Sequence, residues 1–246
     1  MTTGRDGTLG DAVAVRRMGA AGVEKTRKWE HGQRSQLSYW ERWSRAAPPD
    51  TVAEDLARRA TQIRLLLESA FEVDLAQARI LEVGAALRPV VHFLPGRTRV
   101  CGDPLMLRCR ELRHDLFGPG VGHFEAVAEA LPFPDRSFDV GIFLNAVDVC
   151  MDSAKAIAEL ARVLDGGGRL VISANTYSAL SRVMRMAACA TGLCRDSVSY
   201  PRIFTPRSFR ELVESRFEVV RSTVEPSVTR LPYPCQRTTL LGRKRD

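Results

Sequence analysis

Apolar and polar positions along the chain change period several times, and each change marks a new element. Between Thr51 and Ala70 the apolar residues Ala57, Ile63, Leu66, Leu67 and Ala70 recur at helical spacing. Asp50 or Thr51 is placed to cap that helix, and Glu54 and Asp55 suit its first turn. Next comes Ala78-Arg79-Ile80-Leu81-Glu82-Val83-Gly84, a short apolar run that reads as a buried strand ending at a glycine. A second run, Arg99-Val100-Cys101-Gly102-Asp103, ends at an acid, and only a short helix fits between the two. Residues 105–114 read as helix, 121–127 as a strand, and 138–145 as a buried strand with a polar end. An amphipathic helix over 154–164 is expected to close at Asp165-Gly166-Gly167-Gly168, before a strand over 169–174. Residues 217–224 and 238–243 are two β-rich runs with no helix between them, which predicts an antiparallel pair at one edge of a sheet.

Strands alternating with helices at this spacing predict an α/β domain with a mostly parallel sheet covered on both faces. Its ligand crevice belongs at the C-terminal ends of the strands. Upstream, residues 1–34 are rich in Gly, Thr, Arg and Ala without a sustained period, and the first twenty or more are expected to be mobile. Tyr39, Trp40 and Trp43 follow on a short helix, which either covers an edge of the core or caps a ligand pocket. The chain therefore divides into an N-terminal extension, 1–50, and a domain, 51–246. Within that domain, Met184, Met186, Ala187, Ala188, Cys189, Ala190 and Leu193 make an apolar helix inside an insertion over about 176–205. It reads as a lid over an apolar small molecule, as core packing, or as the seam of a homodimer.

Composition adds less than pattern. With 45% apolar and 26% charged residues the chain can bury a substantial core. The net charge is +7, but all but four of the 36 basic residues are arginines scattered through every segment, which describes a solvated surface better than a nucleic-acid patch. No run reaches the roughly 18 to 20 apolar residues that cross a bilayer, and the first residues lack the features of a signal peptide. A cytoplasmic location with no membrane partner is expected. The six cysteines are dispersed, so reduced thiols are expected, and Cys189 and Cys194 have no histidine near them in sequence. No metal is expected.

The informative constellation is Glu82-x-Gly84, then Asp103, then Leu131-Pro132-Phe133 and Phe138-Asp139. A glycine after the first strand lets a ligand approach the backbone, and an acid at the tip of the second can accept both hydroxyls of a ribose. Taken singly, Glu82 could instead cap a helix and Asp103-Pro104 could start one. In their order, however, these pieces resemble the class I S-adenosylmethionine-dependent methyltransferases, over about residues 78–243. The family's first strand and glycine loop look like Ile80-Leu81-Glu82-Val83-Gly84-Ala85-Ala86, and its second-strand acid matches Asp103. Its Ala-Glu-x-Leu-Pro-Phe segment is matched by Ala128-Glu129-Ala130-Leu131-Pro132-Phe133, and its Arg-Val-Leu turn by Arg162-Val163-Leu164. The resemblance implies a Rossmann-like, seven-stranded sheet with an antiparallel C-terminal edge, which the run pattern fits.

It also implies S-adenosylmethionine as cofactor. Glu82, Gly84 and Ala86 would lie by its methionine part and Asp103 would hold the ribose. Leu105 would flank the adenine, Ala128 and Glu129 would lie along its edge, and Asn145 would form the cleft floor near the sulfonium. The chain departs from the family at Ala86 and Arg88, where further glycines are common, and at Val127, where many members carry an acid. A methyl group at Ala86 costs little room, whereas Arg88 must turn outward or grip the cofactor carboxylate. His31, His92, His114 and His123 all sit away from the strand tips. Asp148 is then the best-placed base, unless it caps a helix, and Tyr177 and Tyr200 are candidates to line the substrate. Methyl transfer to an oxygen or nitrogen of a small-molecule metabolite is the expected reaction, with in-line positioning and a base for a hydroxyl nucleophile. The alternative is the same fold without transfer, as a cyclase-type enzyme or a non-catalytic partner. A nucleic-acid substrate is disfavoured, because Asn145-Ala146-Val147-Asp148 is not the Asn-Pro-Pro-Tyr type that holds a flipped adenine.

Overall fold

The computed structural model describes residues 20–191, 202–226 and 234–245. Two N-terminal helices, α1 (Ala20–Ala46) and α2 (Pro49–Phe71), lead into β1 (Arg79–Val83), β2 (Thr98–Gly102), α3 (Met106–Leu112), β3 (Gly122–Phe124) and β4 (Phe138–Leu144). The second half runs α4 (Ser153–Val163), β5 (Leu164–Tyr177), α5 (Ala179–Ala190), α6 (Pro206–Glu214), β6 (Phe217–Pro226) and β7 (Cys235–Lys244). The seven strands form one sheet in the order β3-β2-β1-β4-β5-β7-β6, parallel from β3 to β5 and antiparallel through β7 and β6. This is the expected Rossmann-like sheet with an antiparallel C-terminal edge.

Alternate residues of the central strands feed two separate cores. Ile80, Val140 and Ile142 pack with α2, α3 and the short 3-10 turn Val90–Phe93 on one face. Leu81, Val83 and Phe143 pack with α4 and α6 on the other. The helices on the first face include α1, whose Trp40 and Trp43 lie against that core and stack edge-on 5.6 Å apart. Arg113 pins its C-terminal end: the guanidinium lies 5.9 Å from the Trp43 ring centroid and donates to the Ala47 carbonyl at 3.1 Å.

Several sequence expectations need correction. The aromatic residues lie not on a short helix but near the end of a 27-residue one that starts at Ala20. Its Ala, Arg, Lys, Glu and Gln content favours helix strongly without producing an apolar period. Helix α2 begins at Pro49 with Pro48 as its N-cap, so neither Asp50 nor Thr51 caps it; proline suits the first helical position because the amide there needs no partner. The glycines after α4 do not close that helix. Leu164 is already extended, pairs with Phe138, and Gly167 turns at φ +67° within β5, so that Arg169 resumes pairing at Val140. Strand β3 is only three residues long. Of the first twenty or more residues expected to be mobile, 1–19 lie outside the described residues, as do Leu193 and Cys194.

Arg162 explains why the Leu-Pro-Phe segment and the Arg-Val-Leu turn belong together. Its guanidinium forks onto Glu159 at 2.8 and 2.9 Å, reaches Asp135 at 2.9 Å, and donates to the carbonyls of Leu131 and Phe133 at 3.0 and 2.8 Å. Glu159 in turn accepts the Leu131 amide at 3.0 Å. The irregular segment beside the crevice is thereby fastened to α4 by one cation. Arg162→Ala is expected to cost about 2–3 kcal/mol in urea denaturation, because two partly buried carbonyls and a carboxylate lose a charged donor. Arg162→Lys should recover less than half of that, since an ammonium cannot reproduce the fork.

Candidate functional site

The loops after β1, β2 and β4 enclose a cavity of about 240 Å³ at the C-terminal end of the parallel strands, roofed by α1. Its floor is set by a close backbone approach. Gly84 sits at φ +69°, and a Cβ there would lie 2.3 Å from the Cβ of Ala146, so the position admits glycine alone. Ala86 also adopts a left-handed conformation, at φ +41°, and Asn145 does so at φ +50°. The methyl of Ala86 is therefore costly in backbone energy rather than in room. Asn145 tolerates the conformation better, and its backbone amide and side-chain oxygen are both fixed by Ser173, at 2.8 and 3.2 Å.

Two buried carboxylates stand at the strand tips. Asp103 accepts the Ala86 amide at 3.2 Å with one oxygen and the Leu105 amide at 2.8 Å with the other. Glu82 accepts the amides of Val90 and Val91 at 3.2 and 2.8 Å, which start the 3-10 turn. Burial pushes Glu82 up to about 7 and Asp103 up to about 6, with the backbone donors pulling each the other way. Both acids line the cavity, as do Gly84, Ala86, Leu105, Ala128, Glu129 and Asn145. The eight positions expected at a cofactor site are thus brought together. Glu129 also accepts the Asp152 amide at 3.0 Å, which ties the cavity wall to the N-cap of α4.

The other expected site residues are placed elsewhere. Asp148 and Tyr177 are buried away from this cavity wall, under α5. The guanidinium of Arg185 bonds the Tyr177 hydroxyl, lies 4.8 Å from its ring centroid, and is close enough to Asp148 to act on its charge. Burial nevertheless raises Asp148 to about 6, and its Oδ1 has no hydrogen-bond partner among the described residues. Asp148 caps no helix; Asp152 does that for α4. Tyr200 lies outside the described residues. Of the three readings of helix α5, core packing fails for Met184 and Met186: Ser181, Arg185 and Ala188 face inward, while Leu180, Val183, Met184 and Met186 are exposed. No described residue of α5 lines the cavity, whose roof is α1.

Sequence reasoning missed the cavity's polar far wall. Arg59 from α2, Asn175 from β5 and Arg237 from β7 line it, together with Trp29, Gln33, Gln36, Tyr39 and Trp40 from α1. Arg59 is pushed down to about 10 by burial and by Arg88 and Arg237 nearby. Arg88 does turn away, into an ion pair with Asp55 of α2, while still bordering the cavity. Arg237 reaches Glu225 only loosely, at 3.9 Å, and its Nε is buried without a partner among the described residues. No local motif announces these residues. Only the packing of α2 and β7 beside β5 assembles them.

Comparison with known proteins places this geometry. Residues 90–172 match the sequence family described as a methyltransferase domain. A demethylmenaquinone methyltransferase of Thermus thermophilus is 36% identical over 124 residues, which is 48% of this chain and 54% of the relative. A ubiquinone/menaquinone biosynthesis C-methyltransferase of Hahella chejuensis is 41% identical over 56 residues, 23% of this chain and 22% of that protein. The chain thus spans about half, or less, of the curated relatives it matches. Among solved structures, a SAM-dependent methyltransferase of Thermotoga maritima superposes with a TM-score of 0.56 at 20% identity, over 89% of this chain and all of that one.

The close approach at the cavity floor can be tested directly. Gly84→Ala is expected to destabilise the protein by about 3 kcal/mol, through the left-handed backbone and the contact with Ala146. Gly84→Ala combined with Ala146→Gly should return about half of that loss in the same denaturation assay. No recovery would mean that the Gly84 and Ala146 backbones do not set the floor.

Proposed function

We propose that this chain is a class I S-adenosylmethionine-dependent methyltransferase and transfers a methyl group to a small, largely apolar acceptor that it holds as an anion. The residues at the cavity fit the family's cofactor. Two buried acids stand at adjacent strand tips along the cavity, Arg59 acts on the charge of Glu82, and Leu105 offers an apolar flank. Asp103 would accept the ribose hydroxyls with its remaining lone pairs, Leu105 and Ala128 would enclose the adenine, and Glu82 with Arg59 would face the methionine end. The sulfonium, when bound, supplies an electrophilic methyl group and a neutral thioether as leaving group.

The observation that carries the acceptor class is the pairing of aromatic walls with cations. Tyr39, Trp40 and Phe143 supply flat apolar surface, and Arg237 and Asn175 stand on the β5 side of the same space. Among the described lining residues there is no histidine, and Cys150 is a poor base because burial and nearby acids raise its thiol. An acceptor that is already acidic, such as a phenol or an enol, would not need one. Arg237 would stabilise its anion, leaving the charge to be methylated at oxygen or at the conjugated carbon. A carbon acceptor joins the oxygen and nitrogen expected from sequence, since one relative is named a C-methyltransferase. Asp148, shut beneath α5, is given no part in proton transfer.

Calorimetry with S-adenosylhomocysteine is expected to show one site, weakened at least about tenfold by Asp103→Ala, the loss of two charge-assisted hydrogen bonds. Absence of binding would overturn the proposal. Arg237→Ala should leave that affinity within about twofold, and should instead raise KM in an assay of phenolic acceptors followed by mass spectrometry.

The pH dependence has a definite sign. Asp103 and Glu82 hold protons more tightly in the ligand-free fold than in the unfolded chain, so their protonated forms favour that fold, and this share is lost as pH rises through about 6 to 7. A ligand that needs the ionised acids works the opposite way. The thermal shift given by S-adenosylhomocysteine should therefore be larger at about pH 8 than at about pH 5.5. Equal shifts would show that the two acids do not ionise with binding.

A further inference from the structure

We propose that His92, Cys101 and His123 form a binding site for one zinc-type divalent ion, outside the cavity described above. The strand register makes two of the ligands neighbours. Cys101 of β2 lies directly beside His123 of β3 in the parallel pair, so both side chains stand on one face of the sheet. The turn Val90–Phe93 crosses that face and lays the ring of His92 against His123, 5.2 Å between centroids and nearly coplanar. Phe117 closes the group with its ring edge-on to both histidines, at 5.8 and 5.4 Å.

The distances suit coordination. The two Nε2 atoms are 3.1 Å apart, the Cys101 Sγ is 3.9 Å from the His92 Nε2, and all three donor atoms lie within 4.8 Å of one another. A tetrahedral ion with nitrogen at about 2.0–2.1 Å and sulfur at about 2.3 Å separates its ligands by roughly 3.3–3.6 Å. Closing the site asks for movements of only a few tenths of an ångström at the nitrogens and somewhat more at the sulfur. Two imidazoles and a thiolate are a donor set for borderline and soft ions rather than for magnesium or calcium. Arg99 of β2 is held beside the site through backbone oxygens: its guanidinium donates to the carbonyls of His92 and Leu94 at 3.3 and 3.1 Å. Water would take the fourth position on the half-exposed side, and the thiol proton would leave to solvent on binding.

Such an ion would be structural for the neighbouring cavity. It would join the turn whose amides Glu82 accepts to the strand that carries Asp103, two residues beyond Cys101. Spacings of nine and 22 residues along the chain hide this triad from motif reading, and only the sheet register reveals it.

The test uses full-length, untagged protein stripped with a chelator and titrated with Zn²⁺ against a chromophoric competitor, and separately with Co²⁺. One equivalent of Zn²⁺ is expected, together with a thiolate-to-cobalt absorption in the near ultraviolet. Cys101→Ser should abolish that absorption, and His92→Gln, at a half-exposed position, should weaken Zn²⁺ at least tenfold while circular dichroism stays unchanged. Failure to bind one equivalent would overturn the proposal. So would Zn²⁺ affinity unchanged from the parent protein in both variants, which would assign the ion to other residues.

Discussion

Asp103 is the joint on which the cavity depends. One of its oxygens holds the amide of Ala86, after β1, and the other holds the amide of Leu105, after β2. A single carboxylate thus fixes the separation of two loops that would otherwise be independent. Glu82 repeats the device one strand away, gathering the turn at Val90 and Val91. Buried carboxylates are unfavourable in a protein interior, as their raised proton affinities reflect, and at Glu82 the charge of Arg59 offsets only part of that cost. The fold tolerates them because backbone amides satisfy their oxygens.

The elements of the sheet were legible because each central strand is a short apolar run ending in a residue with a backbone task. Ile80 to Gly84 and Val140 to Asn145 are of this kind, and their order is what resembles the family. Helix α1 was legible only at its aromatic end. The rest of it consists of good helix formers whose polar surface carries no period, and its position over the cavity comes from Trp40, Trp43 and the Arg113 clamp. The turn at Asp165 to Gly168 misled because glycines that can end a helix can equally bend a strand.

The candidate site divides in the same way. Residues on the loops after β1, β2 and β4 could be placed from local sequence, because a parallel sheet brings the tips of neighbouring strands together. Arg59, Asn175 and Arg237 could not, since nothing near them in sequence sets them apart from many other arginines and polar residues. Asp148 shows the converse limit. Its position after β4 is what a catalytic base would occupy, but its burial near Arg185 depends on α5, whose Leu180, Val183, Met184 and Met186 point outward. A hydrophobic count alone would have packed that helix the other way round.

Strand β7 lies between β5 and β6, although it follows both in the chain. During synthesis, the outer edge of β5 and the edge of β6 that β7 will pair therefore stay open until residues 235–244 leave the ribosome. The parallel half of the sheet, with Asp103 and Glu82, can assemble earlier, since its strands are all made by then. Arg237 arrives on the strand that seals the sheet. A nascent chain thus holds the Asp103 and Glu82 side of the cavity before it holds the Arg237 side, so that the order of synthesis separates the two halves of one cavity in time.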